Sequence, residues 1–181
     1  MTRKTFYTRS FETPIGQLCA VANDKALYGL HFSHNHHKFR RHYGQVAYVD
    51  DQQKTSAILN ETQDQLTRYF QKSLKEFSLP HVLSGSEFEK AAWQHLKTVP
   101  YGHTSSYSQQ AWEVTKKRSA CRAIASAYGR NPLLIIIPCH RIIAANGSYA
   151  GYAGGIQHKI FLLNHEKPHA HTCLSRTERR T

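Results

Sequence analysis

A cysteine stands in the segment Pro138-Cys139-His140-Arg141, directly after the apolar run Leu133-Leu134-Ile135-Ile136-Ile137, which is bounded by Pro132 and Pro138. The thiolate is the nucleophilic form of cysteine, and cationic neighbours lower a thiol's pKa, so Cys139 beside His140 and Arg141 is a candidate nucleophile. The plainer alternative is a packing residue, because free cysteine behaves as a small hydrophobe and is among the most buried residue types. His140 has the same two readings, a base or a structural hydrogen-bonding imidazole. Neighbours on a strand point to opposite faces, so Cys139 and His140 share a site only across a turn or a bridging water. Glu166 closes a later helical pattern and could fix the tautomer and direction of a histidine, as a third group does for a catalytic base. In isolation it reads as a solvated glutamate.

Two further groups of residues invite function. Arg122 lies among the small residues Ala120, Cys121, Ala123, Ala125, Ser126 and Ala127. A helix with so smooth a face can approach DNA closely, with one projecting arginine to enter a groove or a vacated base position; its alternative is an alanine-rich helix packed on its neighbours. The histidines His31, His34, His36, His37 and His42 raise a metal site. They lie in a polar, basic stretch without a cysteine at ligand spacing, so a solvated loop is expected there and no metal.

The elements that must position these residues are legible as patterns. Two apolar runs, Leu18-Cys19-Ala20-Val21 and Leu27-Tyr28-Gly29-Leu30-His31-Phe32, flank the turn residues Asn23-Asp24-Lys25 and predict a hairpin. From Ser56, the positions Leu59, Thr62, Leu66, Tyr69 and Phe70 recur at spacings of three and four, which predicts a helix ending before Leu79-Pro80. Ser86 and Glu89 form a capping-box pattern for a helix carrying Phe88, Ala92, Leu96 and Val99, stopped at Pro100. Helical stretches over 107–114 and 119–128, separated by Thr115-Lys116-Lys117-Arg118, have helix-turn-helix spacing. The run 133–137, apolar on both faces, predicts a buried strand or extended core segment. Asn146-Gly147 predicts a turn, and Ile156, Ile160 and Leu163 a helix face ending at His165-Glu166. The fold class is α+β, with residues 1–83 as a mixed α/β domain, 84–168 as a mostly helical domain with the helix-turn-helix, and 169–181 as a basic tail without apolar period.

Composition narrows the class of partner. At 181 residues with 40% hydrophobic and 11% aromatic content, the chain can bury a real core, and fibrous or disordered classes are excluded. Twenty-four Lys and Arg against 12 Asp and Glu give a net charge of +12, which makes a polyanion the first partner to consider. Cys19, Cys121, Cys139 and Cys173 are scattered singly and predict free thiols, hence a cytoplasmic protein, and no apolar stretch suggests a membrane span.

Taken together, residues 85–168 resemble the catalytic domain of the O6-alkylguanine-DNA alkyltransferases, the methylated-DNA–protein-cysteine methyltransferases. The likeness rests on Pro138-Cys139-His140-Arg141-Ile142-Ile143 with Gly129-Arg130-Asn131-Pro132 before it. Gly151-Tyr152-Ala153-Gly154-Gly155 and Leu162-Leu163-Asn164-His165-Glu166 follow at the expected distances. Thr13-Pro14-Ile15-Gly16-Gln17-Leu18 looks like the family's N-terminal domain, implying a ribonuclease-H-like sheet plus helix. The resemblance implies that Cys139 is the alkyl acceptor, that His140 takes its proton through a water, that Glu166 orients His140, and that Asn131 holds the active-site turn together. It implies a flipped base, with Arg122 filling the gap and Ala123, Ser106 and Arg130 on the DNA side. Tyr107 would sit by the backbone and protonate the departing guanine. Backbone groups of Cys139 and Ile142 would read the base, and Tyr152, Ala153 and Gly154 would wall the pocket. The expected partner is double-stranded DNA carrying O6-alkylguanine, O4-alkylthymine being a further substrate left open, met by a monomer with no cofactor and no metal.

Some residues depart from the family pattern. Glu89 stands where Gln is common, Ala92 where Val is usual, Ala153 where some relatives have Ser, and Cys121 where Ala is common. The alternatives are a module that recognises alkylated bases without transfer, a helix-turn-helix regulator, and a Cys-His hydrolase. Relatives that only recognise the base replace the acceptor cysteine, and a sequence-reading regulator needs polar side chains along its second helix.

Overall fold

The computed structural model describes residues 5–36, 47–50 (backbone only), 56–149 and 151–167. The expected tail over 169–181, with Cys173, and two of the clustered histidines, His37 and His42, lie outside the described residues. The chain opens with β1 (Thr5–Phe11), then β2 (Leu18–Ala22) and β3 (Leu27–Phe32), the expected hairpin. The strand β4 (Ala47–Asp50) pairs in parallel with β1, giving the sheet order β3-β2-β1-β4. Neither β1 nor β4 was legible in advance, because β1 mixes charge with aromatics and β4 is set by pairing.

Along β2 the side chains alternate between two apolar clusters, as strand geometry requires. Leu18, Ala20 and Ala22 join the main core, whereas Cys19 and Val21 pack with Phe6 on the other face. Helix α1 (Ala57–Phe70) starts where Ser56 accepts a hydrogen bond from the Leu59 amide, and lays Leu59, Leu66 and Tyr69 into the main core. Burying each such side chain contributes roughly 1.5–3 kcal/mol.

The second half is helical. Helix α2 (Glu87–Leu96) carries the complete capping box between Ser86 and Glu89, and the buried Trp93 donates from Nε1 to Ala127 O at 2.8 Å. That bond ties α2 to the helix-turn-helix formed by α3 (Tyr107–Thr115) and α4 (Cys121–Gly129), with the 3₁₀ turn Arg118–Ala120 between them. Tyr128 Oη donates to Gln110 Oε1 at 2.8 Å in the buried seam, fixing α4 on α3. Just before α3, β5 (Ser105–Ser106) pairs in parallel with β6 (Ile142–Ile143), so the entry to the helix-turn-helix is stitched to the chain leaving Cys139.

The run 133–137 corrects the expectation of a strand. It is buried, but Leu133 makes only an isolated bridge to Leu30 and the chain then turns, Ile137 N donating to Leu133 O at 2.9 Å. Ile135 sits at φ 71° in the left-handed region, an unfavourable place for a β-branched residue. The clamp is Asn131, whose Oδ1 accepts from the Leu133 amide at 3.0 Å while Nδ2 donates to Ile137 O at 2.7 Å, closing both ends of the turn.

The final helix, α5 (Ile156–Glu166), also differs in its buried face. Ile156 is 49% exposed, and the inward positions are Lys159, Leu162, Leu163 and Glu166. Of the expected stripe Leu163 is buried and Ile160 half-buried, but a lysine and a glutamate on an inward face read as polar from sequence, so the apolar periodicity misplaced Ile156 and missed Lys159. No helix among the described residues is long and apolar enough to cross a membrane.

Candidate active site

Cys139 begins the 3₁₀ turn Cys139–Arg141, in which all three residues are buried. This turn removes the strand alternation that would have sent Cys139 and His140 to opposite faces. Asn131 Nδ2, already bound to Ile137 O, lies 3.2 Å from Cys139 Sγ. Burial pushes the Cys139 thiol up to about 11, offset in part by the Asn131 hydrogen bond and the Lys159 charge. The expectation that His140 and Arg141 lower this pKa is therefore corrected: the lowering comes from Asn131, the backbone and Lys159, burial outweighs it, and His140 and Arg141 are bonded elsewhere.

Both are committed to Glu166. The His140 ring places Nε2 at 2.8 Å from Glu166 Oε1. Arg141 grips both oxygens of the same carboxylate, Nε to Oε2 at 2.8 Å and Nη2 to Oε1 at 3.0 Å, and spends Nη1 on Val99 O at 2.7 Å. Tyr69 Oη donates to Oε1 at 2.8 Å and the Gly102 amide to Oε2 at 3.2 Å. Burial alone would raise the Glu166 pKa, but the bonds from His140 and Arg141 prevail and hold it well below the carboxylate range. For Tyr69, burial and the Glu166 charge keep the phenol protonated and donating.

This network fixes the state of His140. An ionised carboxylate only accepts, so Nε2 carries the hydrogen. Burial lowers the His140 pKa more than Glu166 raises it, so the ring is neutral. Its lone pair is then on Nδ1, which is buried and has no hydrogen-bond partner among the described residues.

The pocket walls come from three places. Tyr107 opens α3 behind its N-cap Ser106, is half-buried, and reaches Gly151 O at 3.4 Å. Burial and the nearby Cys139 raise its pKa. Ile142 is fully buried, and its amide closes the 3₁₀ turn on Cys139 O. The Tyr152 hydroxyl is buried without a hydrogen-bond partner among the described residues, and burial raises its pKa well above the usual value. Gly154 lies so close to Phe32 of β3 that a Cβ would come within 2.0 Å of the ring, which makes glycine a steric requirement there and ties the loop holding Ala153 to the N-terminal sheet.

Lys159 is the group that sequence reasoning missed. Fully buried on α5, it donates from Nζ to Ile142 O and to Gly151 O, and lies 5.7 Å from the Tyr107 ring centroid. Burial lowers its pKa while the Cys139 thiolate would raise it. Its only sequence signal is a spacing of seven from Glu166, which puts both on one helix face. Tyr69, from α1, and the Arg141 pairing had no signal at all.

On α4, Ile124, Ala127 and Tyr128 are buried while Arg122, Ala123, Ser126 and Arg130 face outward. Arg122 and Ala123 thus stand on an open face. Arg130 is instead held by Glu89, to which Nε donates, and by Ser126 Oγ at 2.6 Å from Nη1. Among the described residues, Cys121 and Cys139 are in no disulfide.

An activatable thiol behind a helix-turn-helix, buttressed by a small sheet domain, defines a class, and comparison with known proteins gives it a family. The model of the 6-O-methylguanine DNA methyltransferase DNA-binding domain matches residues 87–168, and that of the same family's ribonuclease-like domain matches residues 3–82. A methylated-DNA–protein-cysteine methyltransferase of Methanosarcina acetivorans is 36% identical over 160 residues, covering 88% of this chain and 97% of that one. Its Mycobacterium leprae counterpart is 36% identical over 169 residues, covering 93% and 97%. Among solved structures, Mycobacterium tuberculosis OGT in complex with DNA superposes with a TM-score of 0.77 at 34% identity, covering 89% of this chain and 92% of that one. The chain belongs to the methylated-DNA–protein-cysteine methyltransferase family.

Proposed function

We propose that this chain repairs DNA by direct reversal, moving the alkyl group of O6-alkylguanine irreversibly onto Cys139. The observation that carries the reading is the buried pair of a protonated Cys139 and a neutral His140 whose free lone pair is on Nδ1. His140 accepts the thiol proton through a water as the flipped base enters, held in that tautomer by Glu166. Sγ then attacks the saturated carbon on O6. The S–C bond forms as the C–O6 bond breaks, the electron pair passes to the guanine, and Tyr107 supplies the proton that restores neutral guanine. The thioether has no easy leaving group, so each chain reacts once.

Asn131 holds the turn that presents the thiol. Lys159 spans Ile142 O and Gly151 O, fixing both sides of the pocket beside Tyr152, Ala153 and Gly154. In this reading residues 84–168 contact DNA and carry the transfer while residues 1–83 buttress them through Tyr69 and Phe32. Arg122 fills the gap left by the flipped base, with Ala123 allowing close approach and Ser106 and Arg130 beside the backbone. The substrate is double-stranded DNA with O6-alkylguanine, O4-alkylthymine being the second to assay, and the chain acts as a monomer without cofactor. Its singly scattered cysteines fit a reducing compartment, the cytoplasm.

The test is a titration with excess duplex bearing O6-methylguanine. Methyl uptake that stops at one per chain supports the reading. Continued turnover would move it to a hydrolase, and tight binding without uptake to a recognition module.

A further inference from the structure

Cys19 and His31 face each other across the β2–β3 ladder, on the sheet face turned away from the main core. The 3₁₀ turn Ser33–Asn35 that follows β3 returns His36 over the pair. His36 Nδ1 lies 3.5 Å from Cys19 Sγ and 3.2 Å from His31 Nε2, the two rings are stacked, and all three atoms fall within 4.8 Å of one another. Cys19 and His31 are buried and His36 is half-buried. The Cys19 thiol also reaches Ala20 O at 3.8 Å. One imidazole nitrogen offers either one lone pair or one hydrogen, and here it faces two polar atoms at once. A shared cation would use a lone pair from each.

We propose that Cys19, His31 and His36 form a zinc-binding site separate from the transfer centre. Tetrahedral Zn²⁺, with bonds of about 2.3 Å to sulfur and about 2.05 Å to nitrogen, sets S···N separations near ~3.6 Å and N···N separations near ~3.3 Å. The observed separations of 3.5 Å and 3.2 Å match these edges. A thiolate with two imidazoles is a borderline-soft donor set that suits Zn²⁺ and not Mg²⁺ or Ca²⁺. Binding forms the Zn–S bond as the Cys19 thiol releases its proton to solvent, with no change of oxidation state. Three protein ligands leave the fourth position to water. The metal staples the turn after β3 onto β2, next to Phe32, which supports Gly154. His34 is turned elsewhere, bonded to Asn35 and stacked on Phe32, and takes no part.

The experiment uses the full chain, purified without a histidine tag and stripped by chelator, titrated with Co²⁺ and then displaced by Zn²⁺. One equivalent is expected, with a thiolate-to-cobalt charge-transfer band and intense tetrahedral bands that Zn²⁺ bleaches. Cys19→Ala should remove the charge-transfer band. His36→Ala should weaken affinity by more than the roughly 10–100-fold that loss of an outer-shell partner costs, and His34→Ala should change nothing. Zn²⁺ should raise the melting temperature of the native chain and not of His36→Ala, a variant on the rim of the site that decides the matter if Cys19→Ala fails to fold. Absence of stoichiometric uptake, a charge-transfer band that survives Cys19→Ala, or full affinity in His36→Ala would overturn the site.

Discussion

Glu166 accepts hydrogen bonds from Tyr69, Gly102, His140 and Arg141 in the closed interior, whereas Arg122 stands on the open face of α4 among alanines and serine. The two regions divide the work. Around Cys139, charge is buried and the Glu166 carboxylate is committed to its donors, so His140 and Arg141 are held in place within the folded chain while His140 Nδ1 is left for the chemistry. On α4, Arg122 and Ala123 are exposed, so a side chain can enter the duplex at little cost to the fold. A change in the interior should therefore damage stability and chemistry together, and a change on α4 should damage DNA capture alone.

The largest effect falls at the thiol. Cys139→Ser should bring methyl transfer below detection while binding to alkylated duplex, read by gel shift, stays near the native affinity; residual transfer in this variant would break the assignment. Next comes Glu166→Gln, which leaves the Arg141 guanidinium buried without its counter-charge. Removing one partner of a buried ion pair costs about 3–5 kcal/mol, to be read by urea denaturation. The same carboxylate sets an acid limit. Its folded pKa lies below the ordinary 4.5, so its stabilising contribution is complete above that value and is lost as pH falls beneath it. Glu166→Gln should flatten this acid limb, and an unchanged limb would place the acid sensitivity elsewhere.

A milder effect concerns the resting thiol. With its pKa pushed up to about 11, Cys139 in the free protein should be alkylated slowly by iodoacetamide at neutral pH. The rate should rise about tenfold per pH unit until near that value. A rate already flat at pH 7 would mean a preformed thiolate and would remove the need for His140. The smallest effect on the fold belongs to Arg122→Ala, with stability within about 0.5 kcal/mol of native. Transfer from duplex should fall more than transfer from the free base. Equal losses on both would deny Arg122 its role in the stack.

The same contrast governs what could be read from the sequence. Helix starts were legible because their signals are local: Ser56, the Ser86 and Glu89 box, and the turn between α3 and α4 each declare themselves within a few residues. Cys139, His140, Glu166 and Asn131 were legible through family resemblance, and the structure brings them together. The Arg141 clamp, the Tyr69 hydroxyl and buried Lys159 were not, because they depend on contacts between segments 25 to 97 residues apart or on a charge placed inward. The run 133–137 misled for a related reason: its apolar residues suit a strand, but the Asn131 side chain bends them into a turn that propensity alone disfavours at Ile135. Cys19 and His31 lie within the predicted hairpin, and it is the strand register that makes them neighbours.

The central claim is that one thiol takes one alkyl group. Intact-protein mass spectrometry after incubation with duplex DNA carrying a single O6-methylguanine, followed by peptide mapping, tests it most directly. The account predicts a gain of one methyl, saturating at one per chain and located on Cys139. A methyl mapped to Cys121 or Cys19, or a bound complex whose mass does not change, would contradict it.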